Sequence, residues 1–351
     1  MVYAVVMAGG KGTRLWPQSR ENAPKQLWNI LDGKSMLQNT VERVAPIIPP
    51  EQVLVITGKH LYQPICEQLP QVPPKNIIVE PMGRSTAPCV GLAALYVNDP
   101  EACMAILPSD HVIQNPTEFQ RLLRVAIDVA SQGENLVTFG ITPHAPETGF
   151  GYIQRGEKIG PEVYTVRKFT EKPDLPTAQH FVNSGEYYWN SGMFVWKVAT
   201  ILTMIDRYMP GLSQGLLRIQ PVLDTPEAQS VITEVFEGLD AVSIDYGIME
   251  KAERTFVVPG AFGWSDVGSW AALPDVWTTN QEGNTCRGEV MTLDSTGNIV
   301  YSDSGLTALI GVEQIIVVRV QNAVLVCHRD QAQRVKEIVD ELERKGLTDY
   351  L

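Results

Sequence analysis

Short apolar runs alternate with longer stretches of helical period through the first 280 residues. Residues 3–7, 52–57, 76–79, 104–107 and 136–141 have the length and β-prone composition of strands, and residues 118–131 place apolar side chains at helical spacing between two of them. Nearly continuous apolar strands separated by amphipathic helices predict an α/β protein whose mostly parallel sheet is covered on both faces. Pro and Gly punctuate the strand ends at Pro81-Met82-Gly83, Pro108 and Gly140. Ligands of open α/β sheets lie beyond such carboxyl ends, so functional residues are expected there.

Past Asn280 the pattern changes to short β-branched runs at 289–293, 298–301, 314–320 and 323–327, separated by turn residues such as Asp294-Ser295 and Ser302-Asp303-Ser304-Gly305. This is all-β material, compatible by composition with a β-helix or a compact sandwich. A closing helix is predicted, with Asp330 as N-cap, Val335, Ile338, Val339 and Leu342 on one face, and Gly346 as its stop. The change of texture divides the chain into domains 1–280 and 281–351.

Charge adds what periodicity cannot. The chain carries a formal −12, yet Lys11, Arg14, Arg20 and Lys25 cluster with only Glu21 among residues 8–31. Within that run, Ala8-Gly9-Gly10-Lys11-Gly12-Thr13-Arg14-Leu15-Trp16-Pro17 follows a predicted buried strand, and its glycines let main-chain N–H groups approach a polyphosphate. A dinucleotide fingerprint needs a small residue where Leu15 stands, and a P-loop ending at Gly33-Lys34-Ser35 needs glycine where Trp28 stands. The acidic balance disfavours nucleic acid and anionic membrane as partners. Five scattered cysteines without a Cys-x-x-Cys pair read as buried free thiols, and the five histidines lack metal-ligand spacing. No charged leader precedes an apolar run and no stretch nears the roughly 20 apolar residues of a membrane span, so a cytoplasmic location is expected.

The glycine run, with its Leu15-Trp16-Pro17 and Pro24-Lys25-Gln26 variants, resembles the signature of sugar-1-phosphate nucleotidylyltransferases, and specifically of the mannose-1-phosphate guanylyltransferases (GDP-mannose pyrophosphorylases). Similar blocks recur at 80–88, 108–111, 148–153, 169–173, 189–194 and 263–270. Two positions depart from the pattern: Ser85, where Asn or Asp is usual, and Thr170, where Val is common. The resemblance implies a Rossmann-like, GT-A-like nucleotidyltransferase domain with a mostly parallel mixed sheet, and a small C-terminal domain like a left-handed β-helix. It also implies the reaction of GTP with α-D-mannose 1-phosphate, giving GDP-mannose and diphosphate, with Mg²⁺ as cofactor.

Carried over by position, the resemblance makes Arg14 and Lys25 catalytic and places Ala8, Gly9, Gly10, Gly12, Thr13, Glu80, Gly83, Arg84 and Ser109 with them at the nucleotide. Asp110 and Asp266 fall to the metal, and Gly149, Tyr152, Glu171, Lys172 and Asn190 to the sugar phosphate. The chemistry is coherent with that set. The attacking group is already a phosphate oxyanion, so no general base is required, and no Ser/His/Asp or Cys/His constellation is discernible. The obstacle is repulsion between two polyanions, about 4 kcal/mol for each unit pair at 4 Å and an effective dielectric near 20. Glu80 can accept from guanine N1–H and its 2-amino group together, although main-chain groups could serve instead. Arg84 is a candidate for phosphate binding or for a surface pair with Glu80. Other readings are a different sugar 1-phosphate such as glucose or a heptose, and a regulatory subunit that binds nucleotide sugar without making it; the missing P-loop disfavours a GTPase. The absence of a His-x-His cluster leads us to expect no fused isomerase activity, and the apolar C-terminal strands are candidates for homodimer contact.

Overall fold

The computed structural model describes residues 1–31 and 33–351. All five strands expected in the N-terminal half are present, each within one residue of its expected limits: Val2–Ala8, Val53–Gly58, Ile77–Glu80, Cys103–Pro108 and Leu136–Ile141. Ala4, Val5, Val6 and Ala8 have no exposed surface, which is why the first strand reads as an unbroken apolar run. The expected helix spans Pro116–Ser131, where Asn115 caps it by accepting from the Glu118 N–H at 3.0 Å and Pro116 occupies the first turn.

Among the described residues the large sheet has nine strands, ordered Ile77–Glu80, Val53–Gly58, Val2–Ala8, Cys103–Pro108, Tyr187–Lys197, Leu136–Ile141, Thr255–Gly260, Val163–Thr170 and Tyr152–Gly160. The first four are parallel, with Val5 opposite both Leu54 and Ile106. Tyr187–Lys197 then enters antiparallel to both neighbours, and Tyr152–Gly160 and Val163–Thr170 form an irregular antiparallel hairpin at the far side. The sheet is therefore mixed. The hairpin escapes the apolar pattern because its strands are half-solvated, with Glu157, Lys158, Arg167 and Lys168 on their polar positions.

By packing, the described chain forms two compact units. The first comprises Met1–Gly9, Thr40–Ser109 and Asn115–Trp264; the second comprises Gly10–Asn39, Asp110–Gln114 and Ser265–Leu351. The change of strand texture at residue 280 follows composition, whereas packing places the N-terminal glycine loop in the second unit. The reason lies in that unit's core, where Leu15, Trp16, Trp28 and Ile30 cluster with Val267, Trp270, Ile299 and Ile316. Trp28 meets Trp270, Trp277 and Tyr301 at ring separations of 5.5–6.0 Å. Three of the tryptophan nitrogens find a carbonyl: Trp16 donates to Tyr350, Trp270 to Trp16 and Trp277 to Ile30.

In the same unit Thr285–Arg287, Ile299–Ser302 and Ile315–Val320 stack in parallel, as do Val290–Leu293 and Thr307–Ile310. Parallel stacking of short consecutive strands is the pattern of a β-helix and not of an antiparallel sandwich. Buried Asn284 and Asn298 hold one corner, Asn298 Nδ2 donating to Asn284 Oδ1 and to the Val312 carbonyl, both at 3.0 Å. The closing helix, Val335–Lys345, follows a 3₁₀ turn, Arg329–Arg334. Asp330 is not its N-cap: Arg334 holds that position without a side-chain cap, and Asp330 lies inside the preceding 3₁₀ turn, where its N–H donates to His328 Nδ1. Val335 and Val339 are buried, but Ile338 is 45% exposed at the edge of that face. Gly346, at φ +67°, ends the helix as expected.

All five cysteines are free; Cys89 and Cys103 are buried and the other three are half-buried. Among the described residues no helix is long and apolar enough to cross a membrane.

Candidate active site

In the second unit Gly12, Thr13, Arg14, Lys25, Asp110 and Asp266 line one open cavity of ≈ 240 Å³. Gly12 sits at φ +62°, and a Cβ there would lie 2.6 Å from Lys25 Cβ and 2.8 Å from Ser19 Oγ, so the turn requires glycine. Ser19 ties the loop to itself by donating to the Lys11 carbonyl at 2.8 Å. Lys25, aimed by the preceding Pro24, is only 6% exposed along its side chain. Its ammonium donates to Asp110 Oδ2 at 2.8 Å and to the main-chain carbonyl of Asp266. Burial alone would raise the Asp110 carboxyl, but the charges of Lys25 and His111 and the Lys25 hydrogen bond bring it below its ordinary value.

Asp266 behaves oppositely. Burial and the nearby Asp110 charge push it up, with Lys25, the Gly268 N–H and Arg14 opposing. Asp266 is held by a tight turn in which its Oδ1 accepts from Gly268 N–H at 3.1 Å and Ser265 Oγ accepts from Val267 N–H at 3.1 Å. A Cβ at residue 268 would lie 2.7 Å from Asp266 Oδ2. Val267, fully buried, takes φ +43°, a conformation that costs a β-branched residue on the order of 1–3 kcal/mol and that persists where packing over-determines it. Arg14 is exposed, and its guanidinium makes no hydrogen bond or ion pair among the described residues.

The donor set suits Mg²⁺. Two carboxylates converge on the cavity, and among the described residues no group of three His, Cys, Asp or Glu side chains is arranged to hold a metal. Two hard oxygens plus substrate phosphates and water are what Mg²⁺ takes.

In the first unit Glu80 ends the strand Ile77–Glu80 and is 9% exposed. Its Oε2 lies 4.0 Å from where a Cβ on Gly9 would sit, and its Oε1 is buried without a partner. Burial, partly offset by a hydrogen bond with Cys89, pushes the carboxyl up to about 7. Arg84 neither pairs with Glu80 nor points free: it donates to the Phe236 and Glu237 carbonyls, the C-terminal end of the helix Ala228–Gly238, at 2.8 and 2.9 Å. Ser85 stands at φ +67°, ψ −169°, a region close to glycine-only. Ser109 is buried, its N–H donating to Met7. Gly83 is exposed, with open space beside it.

The sugar-phosphate candidates of this unit gather around Gly151, except Gly149, which borders open space. A Cβ on Gly151 would come within 2.3 Å of Glu171 Oε2 and 3.2 Å of Asn190 Cβ. Glu171 Oε1 accepts from Lys172 Nζ at 2.6 Å, while its Oε2 is buried and unpartnered. Tyr152 is fully buried, its ring packed on Phe181 at 5.4 Å. Sequence reasoning missed Asp245, which accepts from Asn190 Nδ2 at 2.8 Å and whose carboxyl is pushed up to about 6 by burial and by Glu171. Its only sequence signal is an acid set between apolar Ile244 and Gly247-Ile248-Met249.

The nine-stranded mixed sheet covered by helices is the architecture of the nucleotidyl transferase class. Comparison with known proteins agrees: the chain belongs to the nucleotidyl transferase family, which matches residues 3–282, and within it to the mannose-1-phosphate guanylyltransferases. A MannoseP isomerase/GMP-like β-helix domain matches residues 288–342. The chain is 40% identical over 361 residues to a mannose-1-phosphate guanylyltransferase of Escherichia coli strain K12, covering 99% of this chain and 75% of that one. It is 41% identical over 356 residues to the xanthan biosynthesis protein XanB of Xanthomonas campestris pv. campestris, covering 99% and 74%. A crystal structure from Thermus thermophilus, described as a mannose-1-phosphate geranyltransferase, superposes with a TM-score of 0.88 at 36% identity, covering 97% of this chain and 99% of that one.

Proposed function

We propose that this enzyme transfers GMP from GTP to α-D-mannose 1-phosphate, releasing diphosphate and forming GDP-mannose. A phosphate oxygen of the sugar phosphate attacks the α-phosphorus of GTP in line; the bond from that phosphorus to the β-phosphate oxygen breaks, and diphosphate leaves with the electron pair. Charge neutralisation and positioning carry such a reaction.

The observation that bears most weight is Lys25, a buried ammonium between the Asp110 carboxylate and the Asp266 carbonyl on the wall of the Gly12–Arg14 cavity. Lys25 and Arg14 offset triphosphate charge, and the Arg14 guanidinium has no hydrogen bond or ion pair among the described residues to give up. Asp110 and Asp266 would hold Mg²⁺, which when bound supplies further positive charge to the phosphates. Glu80 accepts from the guanine edge, while Glu171 and Asn190 meet sugar hydroxyls and Lys172 the sugar phosphate.

The purified protein, given each of four nucleoside triphosphates with mannose, glucose or heptose 1-phosphate and Mg²⁺, should release diphosphate fastest with GTP and mannose 1-phosphate. Equal rates with another pair would reassign the substrate, and no release with any pair would favour a binding subunit.

A further inference from the structure

Asn190, on the strand Tyr187–Lys197, has only one possible amide orientation. Its Oδ1 accepts from the Gly192 N–H at 3.1 Å and its Nδ2 donates to Asp245 Oδ1 at 2.8 Å. Turned over, the amide would set its NH₂ against the Gly192 N–H and its oxygen against the Asp245 carboxylate. The oxygen is thus committed, and one N–H remains for a ligand.

Asp245 is itself firmly placed. It opens a π-helical turn, Asp245–Met249, a form found often at functional sites. The preceding Ile244 N–H donates to Thr86 Oγ1 at 2.8 Å, and Ser243 accepts from the Gly247 and Tyr246 N–H groups. Across Gly151, Glu171 keeps a buried Oε2 without a partner on a side chain only 7% exposed. A buried acceptor left unpaired is costly, so the pocket is incomplete until an O–H arrives.

We propose that Asp245 is a positioning residue for the sugar phosphate: it locks the Asn190 amide so that one N–H donor stands with the vacant Glu171 acceptor beside Gly151. A hydroxyl can donate to one and accept from the other, which a sugar lacking that hydroxyl cannot do. This rests on reading residues 149–194 as the sugar site.

The test is steady-state kinetics of Asp245→Ala, Asp245→Asn, Asn190→Ala and Glu171→Gln with both substrates varied, alongside thermal unfolding. Asp245→Ala should raise KM for mannose 1-phosphate by about tenfold, the equivalent of one hydrogen bond, while KM for GTP changes less than about twofold. Asp245→Asn, which keeps an oxygen for Asn190, should recover most of the loss. In an Asn190→Ala background, removal of Asp245 should add nothing further. A parallel rise in both KM values, a change in kcat alone, or no recovery with Asn would overturn the proposal. Should Asp245→Ala fail to fold, the Asn variant and the Asn190→Ala background still decide it: a large KM rise with Asp245→Asn, or additive losses, would sink it. Glu171→Gln separates the two levels. If it raises sugar-phosphate KM while Asp245→Ala does not, only the positioning role fails; if neither does, the sugar-site reading fails as well.

Discussion

The Lys25 ammonium lies 2.8 Å from Asp110 Oδ2 while also donating to the main-chain carbonyl of Asp266, a residue 241 positions further along the chain. One cation thus ties the Asp110 carboxylate to the main chain at Asp266 on the wall of one cavity. Lys25→Met should lower kcat by on the order of 10²- to 10³-fold, as for loss of one charge-stabilising donor. Stability should fall by no more than about 3 kcal/mol, because Asp110 is partly exposed and water can replace the lost partner. Turnover assays and denaturant unfolding check both; near-normal turnover would remove Lys25 from the mechanism.

Asp266 should separate metal use from stability. Its carboxyl is pushed up, so the folded protein pays to keep it charged at neutral pH. Asp266→Asn is expected to unfold at the same or a higher temperature at pH 8, yet to need on the order of tenfold more Mg²⁺ for half-maximal activity, as when one of two ligands is weakened. Unchanged Mg²⁺ demand would take Asp266 out of the metal site.

Glu80 makes a pH prediction. Its folded value of about 7 lies above the ordinary value of 4.5, so the folded protein holds a proton that the unfolded chain releases. The stabilising contribution is complete below 4.5 and is lost as pH rises to about 7, an effect of at most about 3 kcal/mol. Glu80→Gln should therefore gain stability relative to the parent protein between pH 5 and pH 8. If the ionised carboxylate accepts from guanine, KM for GTP in the parent should fall as pH rises through 7 and stay flat in the variant. Unfolding curves and GTP titrations at pH 5.5, 7 and 8.5 measure both.

Two glycine exchanges should act in opposite directions. Gly12→Ala forces a Cβ against Lys25 and Ser19 at φ +62°, and should cost on the order of 2 kcal/mol and weaken nucleotide binding. Ser85→Gly relieves a strained φ of +67° at an exposed position and should add about 1 kcal/mol without touching turnover. Thermal unfolding of both variants would show it, and a destabilised Ser85→Gly would mean that the Ser85 side chain matters more than its backbone.

The glycine turn was legible because its requirements are local: Gly12 needs its φ whatever surrounds it, and basic residues crowd one short segment of an acidic chain. The strands around it were legible because burial on both faces leaves an apolar signature. Arg84 illustrates the limit. Its position in a recognisable block suggested phosphate, but its guanidinium is spent on the end of a helix some 150 residues later, a partner that no local pattern announces. Asp245 was missed for the same reason, since its meaning comes from Asn190.

By itself, then, the chain's order of residues determined the strand positions, the place of the glycine turn and the family. Only the folded molecule decided that the turn packs with the C-terminal tryptophans, that Lys25 links Asp110 to Asp266, and which way the Asn190 amide points. Backbone conformation and hydrophobic period depend on neighbours in sequence, whereas hydrogen-bond polarity and charge pairing depend on neighbours in space.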